Sequence, residues 1–348
     1  MTTANIVVFC LDATSAIGSG HAMRCIAVAQ AVSSLGGNPL FAVSCEESAE
    51  FLFSKGYDAV VLRGDSLELG AIDAEALSNF CMETCASSLF VDSYAVGNGF
   101  FEGLQALRKE GLYIGYLDDL YAFRTGVQKT PLKRPVDLVL NYSLYADVSE
   151  YATVYDGAGT DLLLGPSFVP LRREYWDLSA GVPRKNVRDV LVTSGATNPE
   201  GFLERMACLV HDAFPDAKIH VVVGAKAGFS APCASLDVLG SQPSLLPLMQ
   251  HCDICVTAAG TTIYELCATG VPSLAISIVD NQVDNAKAFA RLGLGFGHAV
   301  TDADGDILHN LVALNDFDVR QRFLERMQAT VSGNGAMKVA RILLGRNT

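Results

Sequence analysis

The stretch from Asp12 to Arg24 reads DATSAIGSGHAMR, and it places a histidine and an arginine three residues apart behind two glycines. Gly18 and Gly20 permit tight backbone angles and close approach of a ligand. A helix opening here would aim free amides at that ligand, and His21 and Arg24 would share one of its faces. A neutral imidazole in the first turn is suited to taking a proton from water near neutral pH, and Asp12 at the head of the stretch is a second candidate catalytic group. The spacing is not GxGxxG, and no acid about 20 residues on clearly ends a second strand. On residues alone, His21 is either a general base or a histidine capping a helix.

A second candidate is AAGTTIYE, Ala258–Glu265. Ala259, Gly260, Thr261 and Thr262 offer amides and hydroxyls for a diphosphate at a helix start. Glu265, one turn in, has the reach to accept both hydroxyls of a ribose. An ordinary threonine N-cap with a glutamate favouring the helix dipole explains the same residues. The third candidate is Asp280-Asn281-Gln282, whose amides suit a sugar. The fourth is SGATNP, Ser194–Pro199, where Gly195 makes a second glycine turn and Pro199 fits the first helical position.

The elements that must hold these loops follow from the apolar pattern. Ile6–Cys10 is a continuous apolar run suited to a strand buried on both faces. A helix from about His21 to Leu35, a Gly36-Gly37 stop and the strand Leu40–Val43 complete a βαβ unit. The alternation continues with strands at 59–62, 89–92, 112–117 and 136–140, and with helices at 67–85 and 100–110. Asp12, Asp92, Asp118 and Asn141 stand where strands end, the side on which open α/β sheets bind ligands. Prolines at 166, 170 and 183 interrupt the pattern. A second series then runs through strands at 189–193, 219–223, 254–257 and 272–278 to a helical C-terminus from about Asp306. The expected architecture is α/β, with an N-terminal Rossmann-like domain over 1–180 and a C-terminal one over 181–348, whose last helix packs back on the first.

Composition narrows the class of function. The 348 residues are half hydrophobic, 18% charged and carry a net charge of -13. That is enough apolar surface for two cores and no composition for disorder. With no dense Lys/Arg run, a nucleic-acid partner is not expected, and no apolar run reaches the length of a membrane span. The ten cysteines are scattered. The N-terminus lacks a basic stretch followed by an apolar run, so a cytoplasmic protein with reduced thiols is expected. Cys252 and Cys255 form one CxxC, which without a second pair or a thioredoxin-like context is read as strand core.

Taken in order, the Asp12–Cys25 segment, Val91-Asp92-Ser93-Tyr94, Leu117–Leu120, Leu140-Asn141-Tyr142, Leu171–Tyr175, Ala258–Glu265 and Asp280–Gln282 resemble the UDP-sugar hydrolases of pseudaminic acid biosynthesis. Those are similar to spore-coat polysaccharide proteins and, more remotely, to MurG-type glycosyltransferases. The resemblance covers about residues 5 to 300. It implies a GT-B architecture, two Rossmann-like domains facing a central cleft, with UDP held by the C-terminal half. It implies hydrolysis of a UDP-linked diacetamido-trideoxy sugar to UDP and free sugar, with no metal or other cofactor. His21 would be the base, Tyr94 would contact substrate, and Glu265 would hold the ribose. Gly18, Gly20, Arg24, Asn141, Arg172, Asn281 and Gln282 would bind substrate. Gly195 would line the nucleotide site with Ala259, Gly260, Thr261 and Thr262. Two departures stand out: Cys10 occupies a place where the family often has arginine, and Gly195-Ala196-Thr197-Asn198-Pro199 replaces Gly-Gly-x-Asp-Pro. Transfer to an acceptor other than water, or a non-catalytic protein that binds sugar nucleotides, are the alternatives.

Overall fold

The structure, a computed structural model, describes residues 5–345 except 16, 63–72, 122–133, 179–180, 196, 226 and 233–235. The chain divides into two compact units, Met1–Arg173 with Asn334–Thr348, and Glu174–Gly333. The crossing therefore falls earlier than the expected 180. Tyr175 is fully buried and belongs to the second unit, where a side chain on Gly333 would meet its carbonyl at 2.2 Å.

The first unit is a parallel sheet built from β1 (Ile6–Leu11), β2 (Asn38–Val43), β3 (Ala59–Val61), β4 (Ser88–Asp92), β5 (Tyr113–Leu117), β6 (Leu138–Asn141) and β7 (Asp161–Leu164), in the order β3-β2-β1-β4-β5-β6-β7. Val7 to Leu11 are all buried, as a strand covered on both faces requires. Cys10 sits in this core beside Leu89, Val91 and Ile114, so the position is occupied by packing. The helices are α1 (Gly20–Ser34), α2 (Glu46–Ser54), α3 (Ala74–Glu83), α4 (Asn98–Gly103), α5 (Gln105–Lys109) and α6 (Val148–Tyr155). The single helix expected over 100–110 is thus two. The Leu104 amide donates to the Phe101 carbonyl at 3.2 Å, three residues back, a tightened turn that ends α4. Of the helix expected over 67–85, the part through residue 72 lies outside the described residues.

The second unit repeats the design with β8 (Asp189–Thr193), β9 (Lys218–Val222), β10 (Leu236–Leu239), β11 (Ile254–Ala258), β12 (Ser273–Ser277) and β13 (Gly295–Ala299), in the order β10-β9-β8-β11-β12-β13. Its helices are α7 (Phe202–Ala213), α8 (Leu246–His251), α9 (Thr262–Thr269), α10 (Val283–Arg291), α11 (Asp304–Ala313) and α12 (Phe317–Thr330). In place of a helix from Glu200, a 3₁₀ turn Pro199–Gly201 comes first, with Glu200 at φ 51°. The Asn198 side chain then accepts from the Leu203 amide at 2.8 Å and caps α7. In both sheets the strand order reverses beside the first strand, between β1 and β4 and between β8 and β11. Loops at such switch points open the crevice in which α/β sheets bind ligands.

The last helix, α13 (Gly335–Leu343), belongs to the first unit and packs on α1. Ser88 Oγ at the start of β4 donates to the Leu343 carbonyl at 2.5 Å, and Asn5 Nδ2 donates to that of Leu344 at 3.2 Å. Gly335 lets α13 start against the backbone: a Cβ there would meet the Val169 carbonyl at 2.2 Å. Backbone cannot yield as a side-chain tip does. Gly335→Ala is expected to cost about 1–3 kcal/mol by overpacking, read as a lower urea midpoint with an unchanged slope.

Candidate active site

Asp92, the last residue of β4, has no exposed surface. A carboxylate taken out of water needs partners, and α1 supplies them from its first turns. His21 Nδ1 lies 2.6 Å from Asp92 Oδ1. Arg24 donates from Nε to Oδ2 at 2.5 Å and from Nη2 to Oδ1 at 2.6 Å. The third guanidinium nitrogen, Nη1, donates to Asp119 Oδ2 at 2.6 Å and to the Tyr142 hydroxyl at 3.0 Å. Tyr94, two residues beyond β4, donates to Asp119 Oδ2 at 3.1 Å, and its ring meets the His21 ring edge-on at 4.4 Å between centroids. These residues leave β1, β4, β5 and β6 at their carboxyl ends, beside the β1/β4 switch point.

The electrostatics follow from that packing. Burial alone would raise the Asp92 carboxyl, but the Arg24 charge and the hydrogen bonds from Arg24 and His21 outweigh it and hold it at about 2. Burial alone would lower the Arg24 guanidinium, and the charges of Asp92 and Asp119 with the hydrogen bond to Asp92 reverse that. Burial pushes the Tyr142 phenol up to about 12, which keeps it a neutral acceptor. Asp92 is therefore ionised and accepts only, so its partner on His21 is an Nδ1–H. The 3.1 Å approach of Arg24 Nη2 to the same nitrogen is then a contact of two donors held by one acid. With Nδ1 protonated, the neutral ring carries its lone pair on Nε2, the tautomer a general base needs.

The other candidates in this unit divide. Gly18 has φ 85° and its amide donates to the Thr14 carbonyl at 2.8 Å, so the turn requires glycine; Gly20 is the first residue of α1. Among the described contacts, Asp12 makes none to His21 and instead holds a neighbouring loop. Its carboxylate accepts from the Ser44 amide at 2.9 Å, the Ser44 hydroxyl at 2.8 Å and the Ser48 hydroxyl at 3.2 Å, which pins the β2–α2 loop. Asn141 is likewise spent on its own loop, donating to Tyr151 at 2.9 Å and accepting from the Ser143 amide at 2.9 Å. Arg172 is half-buried just before the 3₁₀ turn Arg173–Tyr175. Asp119 and Tyr142 were not singled out as site residues by sequence, although each is next to a strand-end residue that was.

In the second unit the candidate nucleotide loops follow β8, β11 and β12. Gly195 has φ 85°, and Ser194 Oγ donates to the Thr197 carbonyl at 2.5 Å, closing the loop. The Ala259 amide donates to the Ile276 carbonyl at 2.8 Å, so Ala259 offers no free donor to a phosphate. Thr261 is exposed at the N-cap of α9 and makes no side-chain cap bond, which leaves its hydroxyl for another acceptor. Thr262 opens α9, and Glu265 lies half-buried in its first turn. Gln282 accepts from the Ile278 amide at 3.1 Å, and its Nε2 lies 3.6 Å from where a Cβ on Gly260 would stand. Asn281 is exposed beside it. A cavity of about 260 Å³ in this unit is elsewhere, near the amino ends of the strands, lined by Arg184, His251, Asp253 and Pro272 among others. Cys252 and Cys255 are buried, and burial pushes both thiols up, Cys252 to about 12, so neither is a thiolate near neutral pH.

The topology and these loops define the class as α/β of GT-B type, two Rossmann-like units in one chain. Residues 190–341 match the glycosyltransferase family 28 C-terminal domain. The spore coat polysaccharide biosynthesis protein SpsG of Bacillus subtilis (strain 168) is 26% identical over 227 residues, which are 60% of this chain and 64% of that protein. The pseudaminic acid cytidylyltransferase and UDP-2,4-diacetamido-2,4,6-trideoxy-beta-L-altropyranose hydrolase of Helicobacter pylori (strain ATCC 700392 / 26695) is 43% identical over 47 residues, 14% of this chain and 9% of that protein. The chain thus spans just under two thirds of the first relative and a small part of the second. Among solved structures, Acinetobacter baumannii MurG has a TM-score of 0.65 at 13% identity, covering 99% of this chain and 100% of that one. Among the described residues, no helix is long and apolar enough to cross a membrane.

The depressed Asp92 carboxyl sets an acid limit. A carboxyl lowered from 3.8 to about 2 in the folded state stabilises it above the unfolded value and loses that contribution as pH falls from about 4 to 2. The expected loss is about 2 kcal/mol, measured by urea unfolding at pH 7, 4 and 2.5. Asp92→Asn should be less stable at pH 7 by about 3 kcal/mol, because buried Arg24 keeps only Asp119 as an acid, and should lack the drop between pH 4 and 2.5.

Proposed function

We propose that the chain transfers a glycosyl group from a nucleotide-sugar donor, with His21 as the general base that activates the accepting O–H. The observation that carries this is the Asp92-held His21, whose Nδ1 contact at 2.6 Å leaves Nε2 to take a proton at a strand switch point. The hydroxyl-bearing start of α9, with Thr261 uncapped and Glu265 one turn in, supports binding of the nucleotide by the second unit through amide donors and the helix N-terminus. Those donors would stabilise the departing diphosphate without a resident metal. The match to the glycosyltransferase family 28 C-terminal domain over 190–341 supports transfer as the reaction class.

Hydrolysis, with water as acceptor, is the second reading. It is favoured by the 43% identity to the Helicobacter hydrolase, confined to 47 residues. The two are separated by incubating the chain with a panel of UDP-sugars and following UDP release with and without added acceptor sugars. Release that needs an acceptor establishes a transferase, and release in buffer alone a hydrolase. If no UDP-sugar binds or turns over, the proposal fails. His21→Asn is expected to lower turnover by about 10²–10⁴ while UDP affinity stays within error. Unchanged turnover would remove His21 from the role of base.

A further inference from the structure

We propose that the second unit holds a divalent transition-metal site of the zinc type, formed by Asp189, His220 and His251 near the amino ends of its strands. Asp189 is the first residue of β8, His220 lies in β9, and His251 ends α8 just ahead of β11. Their donor atoms all lie within 4.8 Å of one another. Asp189 Oδ1 stands 3.2 Å from His220 Nε2 and 3.3 Å from His251 Nε2. Two ligands held at about 2.0–2.1 Å on a tetrahedral zinc ion stand roughly 3.3 Å apart, so both distances from the aspartate already fit. The sequence separates these residues by about thirty positions each, and no ligand spacing pointed to them.

A second arrangement supports the site independently. His220 is buried, and its other nitrogen, Nδ1, lies 2.9 Å from Asp237 Oδ2 on the neighbouring strand β10. A carboxylate that takes the far ring proton of a histidine fixes the tautomer and aims the second nitrogen at a metal. Nε2 then faces Asp189 Oδ1 at 3.2 Å. Arg184 Nη1 donates to the other oxygen, Oδ2, at 2.8 Å, which orients the carboxylate and leaves Oδ1 to the ion. Two imidazoles and one carboxylate suit zinc, nickel, cobalt or copper rather than magnesium or calcium, which take oxygen ligands. The His251 side chain is 58% exposed, so a coordination position faces solvent.

The test is titration of the chelator-treated full chain with zinc chloride alone, followed by calorimetry, and with cobalt chloride, followed by visible absorption. The expected result is one zinc per chain and the visible bands of tetrahedral cobalt, removed by zinc. His251→Ala, at an exposed position that does not endanger the fold, should weaken zinc binding at least 10-fold. Asp237→Asn should weaken it about 10–100-fold through His220. Absence of stoichiometric zinc binding overturns the site, as does binding that His251→Ala weakens by less than 10-fold. Neither result bears on UDP release, which His21 governs from the other unit.

Discussion

The buried carboxylate of Asp92 is the constraint around which the first unit's carboxyl edge is arranged. It cannot remain ionised in the core without donors, and α1 is oriented so that His21 and Arg24 provide them. Arg24 then has donors left over, and these draw in Asp119 and Tyr142 from the ends of two further strands. One acid thereby ties the first helix to three strands of the sheet. The same contact selects the histidine tautomer, so the stability of the edge and the orientation of His21 have a single cause.

Neighbouring strand ends use the same device for other purposes. Asp12 spends its carboxylate on Ser44 and Ser48, and Asn141 spends its amide on Tyr151 and Ser143. These polar groups occupy equivalent topological places, yet they hold loops and not a histidine. What separates them is the partner that the next helix brings. The second unit shows the contrast in another form. Its carboxyl edge carries the threonine hydroxyls that open α9, while its amino edge gathers imidazoles and acids.

Much of this was legible in the sequence. The apolar run Ile6–Cys10, the glycine turn before His21 and the repetition of strand and helix from residue 189 were enough to give two parallel α/β units. Pairing was not legible, because it depends on contacts between residues far apart in the chain: 71 positions for His21 and Asp92, 118 for Arg24 and Tyr142. Local pattern offered Asp12 as a candidate catalytic group but could not show that His21 pairs with Asp92. The two helices over 98–109 were read as one because their apolar spacing barely changes at Leu104. The unit junction was misplaced for a similar reason: prolines mark an irregular stretch but not the side on which Tyr175 is buried.

The placement of α13 has a consequence for biosynthesis. The second unit is one contiguous segment, 174–333, whereas the first is assembled from both ends of the described chain. On the ribosome, everything the second unit needs has been made before Gly335 is added. The first unit, although begun earlier, still lacks the helix that covers α1 and receives the Ser88 hydroxyl. Order of synthesis and order of completion are thus reversed for these two units, and the one that carries His21 is finished after the other.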